Sequence, residues 1–231
     1  LMLFAVLIIG AIRGGAQRWI PVGPVHVQPS ELAKVALVLS LARFFSARPK
    51  EHGWGLRDLV VPAGLFLLPL VALIFLEPDL GTSLFLCFVF AGMVFAVGLR
   101  WRTLAVVFLI CVLSTPMAYK WLLDDYQRER IEVLLRPDAD PKGSGYQSIQ
   151  GRYAIGSGQV FGKGWGEGTQ GRLRFLPEQH TDFVFSVFAE EQGFVGSVFA
   201  LLLYFGQMLL GLRIAWTARD RFGSILAIGV V

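Results

Sequence analysis

The sequence predicts an all-α, polytopic membrane helix bundle carrying one large polar loop. Composition is the first observation behind this. Of 231 residues, 55% are hydrophobic and only 16% charged, with a mean hydropathy of +0.59. A soluble domain usually has about 25% charged and 45–50% apolar residues. The second observation is the distribution: charge-free apolar windows approach the roughly 20 residues that a helix needs to cross about 30 Å of hydrocarbon. The third is the placement of Lys and Arg, which cluster in alternate loops. Disorder is excluded by the high apolar and low charged content. Two cysteines and the lack of a three-residue glycine period exclude disulfide-scaffold and collagen-like classes.

The elements follow in order. Leu1–Ile12 is apolar but too short to span, and no basic region precedes it as a signal peptide would require. Gln28–Ser46 is apolar apart from Glu31, Lys34 and Arg43. Leu59–Leu76, Leu80–Leu99, Leu104–Ala118 and Phe194–Leu212 carry no charge. A soluble amphipathic helix would show a polar face, and these windows show none. Phe222–Val231 is again apolar and short. The expectation is one integral membrane domain over 1–231, a fragment that begins and ends within membrane helices. Cys87 and Cys111 lie inside apolar spans, where cysteine acts as a small hydrophobe.

Charge in the short loops sets the orientation. Arg13–Val27 and Glu77–Asp79 together hold two basic residues, Arg13 and Arg18. The alternate set, Ala47–Asp58, Leu99–Thr103 and Arg213–Arg221, holds eight. The positive-inside rule assigns the second set to the cytoplasm and the long loop 123–182 to the extracytoplasmic side. The net charge of +4 is therefore topological and does not point to a nucleic-acid partner.

Function is sought where polar residues interrupt this pattern. Ten glycines fall between Gly143 and Gly171, among Tyr146, Arg152, Tyr153, Phe161, Lys163 and Trp165. The interleaved aromatics favour an ordered loop over a flexible linker, and glycine lets backbone approach a ligand closely. The spacing around Gly162-Lys-Gly matches neither a nucleotide-hydrolase phosphate loop nor a dinucleotide fingerprint. Asp182 falls where the polar loop gives way to an apolar helix. It reads as a helix cap, as a general base for a substrate hydroxyl, or as both. His180 reads as an orienting partner. Glu31 and Lys34, three apart, share a helical face; they either line a polar cavity or snorkel to the headgroups. Glu190-Glu191 pose the same question, and the length of their helix would let its first turns stand clear of the membrane with the glutamates wet. Glu77-Pro-Asp-Leu-Gly-Thr reads mainly as a tight turn.

Several motifs in order resemble the SEDS family (shape, elongation, division and sporulation). They are Gly15-Ala-Gln-Arg-Trp, Gln28-Pro-Ser-Glu-Leu-Ala-Lys, Pro78-Asp-Leu-Gly-Thr, Gly145-Tyr-Gln with Gln150, Ala154-Ile-Gly-Ser-Gly, Gly162-Lys-Gly, Gly168-Thr-Gln and Phe175-Leu-Pro-Glu-Gln-His-Thr-Asp-Phe. Ala154-Ile-Gly-Ser-Gly, Gly168-Thr-Gln and Ala189-Glu-Glu resemble the RodA-type branch more than the division branch. The resemblance implies a ten-helix fold, of which this chain matches the third to ninth helices. It also implies a peptidoglycan glycosyltransferase of the bacterial cytoplasmic membrane, acting in elongation and rod shape. Such a protein polymerises lipid II beside a class B penicillin-binding protein. The family's essential aspartate maps onto Asp182, and its glutamate–lysine pair onto Glu31 and Lys34.

That chemistry needs a base for the acceptor hydroxyl and positive charge for the departing diphosphate. Arg18, Lys34, Arg152 and Lys163, the glycine-loop amides, or a divalent cation are the candidates for the charge; no other cofactor is read from the residues. A flippase for lipid-linked precursors is the alternative reading. It is disfavoured because the clean spans lack midplane charge. A non-catalytic scaffold would need neither Asp182 nor an ordered glycine loop. The assigned orientation is testable. A cysteine replacing Ser144 in the full-length protein should react with a membrane-impermeant thiol reagent in intact spheroplasts, whereas labelling only after membrane disruption would reverse the topology.

Overall fold

The computed structural model describes residues 2–13, 16–22, 25–77, 79–121, 123, 125–136, 145–169 and 181–231. The chain divides into two compact units, Leu1–Leu113 with Leu209–Val231, and Ser114–Met208. Four helical segments are long and apolar enough to cross a membrane: Leu56–Leu76, Leu80–Val97, Trp101–Trp121 and Val184–Thr217. Each overlaps a charge-free window of the sequence, and the chain is a multi-pass membrane helix bundle.

The first unit opens with α1 (Met2–Ile9), followed by a feature that the sequence reading treated as a plain loop. Strands β1 (Ala11–Arg13), β2 (Ala16–Val22) and β3 (Val25–Val27) form an antiparallel meander in the order β1-β2-β3. β2 pairs Ile20 with Val27 and Val22 with Val25. Strands this short leave too little alternation for a period-two signal to stand out.

α2 (Pro29–Ala47) starts with proline in its first turn, where the missing N–H costs no helical bond. Leu37, Leu41 and Phe45, four residues apart, lie on one face and are buried with Ala42. They form the centre of the core with Trp54, Ile74, Leu86, Met93 and Ile225. The Phe45 and Trp54 rings meet edge to face at 4.9 Å, a favoured aromatic geometry.

The next span is not one regular helix. α3 (Leu56–Pro62) passes through a wide π turn at Ala63–Leu67 into α4 (Leu68–Leu76). Proline cannot donate to the helical ladder and its ring crowds the carbonyl four residues earlier. Pro69 makes that demand on Leu65, inside the widened turn. α5 (Leu80–Val97) ends at Gly98, whose φ of 100° leaves the helix. There, Trp54 N–H donates to the Gly98 carbonyl (2.9 Å) and Arg100 N–H to the Trp54 carbonyl (3.2 Å). These two bonds clasp the loop before α3 to the loop before α6 (Trp101–Trp121).

The second unit contains α7 (Asp125–Leu135) and α8 (Tyr146–Ser157), so the segment expected as a long loop carries two helices of its own. α9 (Val184–Thr217) is interrupted at Gly193 and α10 (Arg221–Val230) follows. Within the first unit α10 sits so close that a Cβ on Gly229 would lie 2.6 Å from Val38 and 2.9 Å from the Met93 sulfur. Outward-facing side chains of the spans, including Phe88, Phe108, Leu113, Phe199 and Leu202, are exposed, as lipid contact requires.

The turn between α4 and α5 is held by charge. Asp79 caps α5 by accepting from the Thr82 N–H (3.1 Å) and hydroxyl (2.9 Å). Arg18 of β2 donates from Nε to the Glu77 carbonyl at 3.1 Å and lies 3.9 Å from the Asp79 carboxylate. Glu77 itself is only 2% exposed, and both carboxylate oxygens lack a hydrogen-bond partner among the described residues. Burial and the neighbouring Asp79 charge push its pKa from 4.5 up to about 7, against the opposing pull of Arg18. The folded chain therefore binds this proton more tightly than the unfolded chain does. The stability from the neutral form is complete below about pH 4.5 and is lost as pH rises through about 7. Glu77→Gln should remove that dependence. The stability difference between wild type and variant, from unfolding in detergent, should swing by on the order of 3 kcal/mol between about pH 4 and 8. A difference that stays constant with pH would show that Glu77 is solvated.

Candidate functional site

The second unit builds its site around the interruption in α9. Gly193 adopts φ 65° and ψ −164°, a conformation closed to residues with a Cβ at no cost. A break there frees carbonyls before it and amides after it. The turn and loop that follow α8 take up both. Lys163 and Gly164 donate their N–H groups to the carbonyls of Glu190 and Glu191, each at 3.0 Å. Phe194 and Val195 donate to the carbonyls of Gln159 (2.8 Å) and Val160 (3.1 Å).

This docking explains the glycines. A Cβ on Gly158 would overlap the Ala189 carbonyl, one on Gly162 the Glu191 carbonyl, and one on Gly193 the Gly162 nitrogen. Gly162 also has φ 79°. The described part of the glycine loop is thus ordered, but by its backbone bonds and not by its aromatic residues, since Phe161 and Trp165 are each 84% exposed; it binds the protein's own backbone.

A buried side-chain cluster completes the joint. Glu190 is fully buried. Its Oε1 accepts from Lys163 Nζ (2.6 Å), the Thr169 N–H (2.9 Å) and the Thr169 hydroxyl (2.8 Å). Ser157 lies at 3.4 Å. The expectation of wet glutamates fails for Glu190, because the loop folds over it. Glu191 is half-buried. Lys163, expected as a candidate for diphosphate, spends its charge on Glu190.

Asp182 lies in the turn Thr181–Phe183 that leads into α9 and is exposed. Its carboxylate has no hydrogen-bond or ion-pair partner among the described residues. It borders a cleft of about 470 Å³ with Thr181, Phe185, Phe188, Ala200 and Tyr204. The segment is braced from behind, since a Cβ on Gly151 of α8 would meet the Phe183 ring at 2.9 Å. Arg152, next along α8, is exposed. His180 lies outside the described residues.

The remaining candidates belong to the first unit. Glu31 and Lys34 pair at 2.8 Å, with side chains 57% and 28% exposed. The Lys34 ammonium also stands 5.1 Å from the Phe85 ring. So exposed a pair contributes about 0–1 kcal/mol, and in this unit it borders a cleft with Val35, Phe85 and Leu226. Arg18 is engaged with the α4–α5 turn. Among the described residues no three His, Cys, Asp or Glu side chains converge as a metal site. Sequence reasoning singled out Glu190 but misjudged its burial, and it missed the break at Gly193. The one available signal for the break was the pairing of a glycine-rich stretch with a glycine at the start of the apolar run, directly after Glu190-Glu191-Gln192.

The joint can be tested. Gly162→Ala should lower stability by about 2 kcal/mol or more, through backbone overlap and strained φ. Gly156→Ala, where a Cβ meets nothing within 4 Å, should leave it within about 0.5 kcal/mol. Thermal unfolding of the full-length protein in detergent reads both, and equal effects would mean that the loop does not dock.

Comparison with known proteins agrees with this architecture. The family model described as "Cell cycle protein", covering FtsW, RodA and SpoVE, matches residues 1–231. The peptidoglycan glycosyltransferase MrdB of Escherichia coli K12 is 42% identical over 231 residues, covering 100% of this chain and 62% of MrdB. Stage V sporulation protein E of Bacillus subtilis is 37% identical over 239 residues, again with 100% and 62% covered. This chain thus spans about three fifths of the length of these relatives. Among solved structures, one from "Structural coordination of polymerization and crosslinking by a peptidoglycan synthase complex" superposes with TM-score 0.78 at 35% identity, covering 99% of this chain and 62% of that one. The rod shape determining protein RodA of Thermus thermophilus superposes with TM-score 0.61 at 30% identity, covering 99% and 57%. With the full length matched by the family model and its membrane helices superposing on solved relatives, the chain belongs to the FtsW/RodA/SpoVE family of cell cycle proteins.

Proposed function

We propose that the protein containing this chain is a peptidoglycan glycosyltransferase of the bacterial cytoplasmic membrane. It polymerises lipid II into glycan strands for cell-wall elongation, and Asp182 is its general base. The observation that carries the reading is the free, exposed Asp182 carboxylate on a braced helix start beside an open cleft. The name and 42% identity of MrdB support the activity. The solved synthase complex supports a class B penicillin-binding protein as the cross-linking partner.

The chemistry is one displacement with inversion. The 4-hydroxyl oxygen of the acceptor sugar attacks the anomeric carbon of the donor, and the bond from that carbon to the lipid diphosphate breaks with its electron pair. Asp182 takes the hydroxyl proton as the new glycosidic bond forms, by analogy with inverting glycoside hydrolases. An exposed Arg152 is the candidate cation for the diphosphate, since Lys163 is held by Glu190. Among the described residues, the acidic, histidine and cysteine side chains do not assemble a donor set for a divalent cation. The long loop lies on the extracytoplasmic side in this reading, where it meets lipid II at the outer leaflet.

Asp182→Asn keeps the size of the side chain and removes the base. The full-length variant with its penicillin-binding partner should insert and assemble normally, yet polymerise purified lipid II about 10²–10⁴-fold more slowly. Polymerisation near the wild-type rate would place the base elsewhere. Lipid II moved across vesicles by the wild-type protein, with no polymer formed, would replace the enzyme by a transporter.

A further inference from the structure

An apolar groove in the first unit lies between α3 with its π turn, α5 and the start of α6. It has a volume of about 650 Å³, room for an acyl chain. Small residues hollow it out: Ala63, Ala91 and Gly92 line it, and a Cβ on Gly92 would meet nothing within 4 Å. Its wall is continuous from Phe88, within α5, to Leu56, Leu99 and Leu104 at the ends of the three elements.

That end is basic. Arg57, Arg100 and Arg102 each adjoin or lie within two residues of a lining residue, and all three are exposed. Arg100 donates from Nε to the Gly53 carbonyl at 3.2 Å, which holds its guanidinium over Gly55, next to Leu56 at the mouth. The nearby acid Asp58 is already paired with Lys50. Arg57 and Arg102 have no hydrogen-bond or ion-pair partner among the described residues. Trp101, 79% exposed, stands beside them, as aromatic residues do at a membrane interface.

We propose that this groove binds one anionic glycerophospholipid, its acyl chain along the apolar wall and its phosphodiester on the arginines. An apolar groove with exposed guanidinium groups beside one end, two of them without a partner among the described residues, complements such a molecule in both halves. A zwitterionic lipid would bring its own cation to the same place. The site lies at the end of the first unit assigned by loop charge to the cytoplasm, and it does not depend on the glycosyltransferase reading.

The test uses full-length protein in detergent, titrated with phosphatidylglycerol or phosphatidylcholine, with bound lipid counted by native mass spectrometry. Phosphatidylglycerol should be retained at least about tenfold better. Replacing Arg57 and Arg102 together by Gln should remove most of that preference, at roughly fivefold for each arginine near an anionic headgroup. Gly92→Phe should fill the groove and displace the lipid while leaving unfolding in lipid-free detergent unchanged. Equal retention of the two lipids, or a preference that survives both variants, would overturn the proposal. Displacement by undecaprenyl phosphate but not by phosphatidylglycerol would also overturn it, by assigning the groove to a polyprenyl tail.

Discussion

The joint between the glycine loop and the break in α9 is the constraint on which the second unit depends. Where a helix breaks, the released backbone groups need new partners, and each one buried without a hydrogen bond costs several kcal/mol. Four backbone bonds from residues 159–164 meet that demand at Gly193. The bonds form only if two backbones nearly touch, so Gly158, Gly162 and Gly193 become requirements of packing. Once the loop is pinned there, Lys163 and Thr169 are brought onto Glu190. Breaking such a buried pair by removing one partner leaves an uncompensated charge, typically at a cost of 3–5 kcal/mol. Backbone and side-chain terms therefore enforce the same geometry.

The first unit solves a related problem with different parts. The turn between α4 and α5 needs a cap and a partner for its last carbonyls. Asp79 supplies the cap, and Arg18 reaches from β2 to the Glu77 carbonyl. The meander thus has a structural use: it presents a guanidinium to the end of a membrane helix. Arg18 and Lys163, both reasonable phosphate ligands from sequence, turn out to hold elements in place. A basic residue in a polar motif is as readily bound by a helix terminus or a buried carboxylate as by a substrate.

What was legible in the sequence follows from what hydropathy measures. The charge-free windows at Leu59–Leu76 and Leu80–Leu99 fall within a few residues of the observed segments at Leu56–Leu76 and Leu80–Val97, because burial in lipid selects for apolar side chains whatever the backbone does. For the same reason the π turn at Ala63–Leu67 and the break at Gly193 were invisible: a window stays apolar across a change in φ and ψ. The meander of residues 11–27 was missed because its strands are too short for alternation. Glu190 was misjudged because a glutamate near the end of an apolar run looks interfacial, and the covering loop lies more than 20 residues away in sequence. Asp182 was singled out because it sits at a boundary between polar and apolar sequence, and it lies in the turn that leads into α9.

The environments of four other described carboxylates differ from that of Asp182, the base of the proposed reaction. A general base must reach substrate and have a lone pair to give. Glu190 is fully buried and its Oε1 is saturated by three donors. Asp79 is occupied with its helix cap and Arg18, and Glu31 holds Lys34. Glu77 is buried with its proton favoured to near pH 7. Asp182 is exposed and free, yet it is not loosely placed. The helix that follows it is fixed eleven residues on by the joint at Gly193, and Phe183 beside it packs on Gly151. Positioning within fractions of an ångström is what an attacking hydroxyl requires. In the proposed mechanism, an unpaired carboxylate on a segment anchored by its neighbours would answer that requirement without burying a charge.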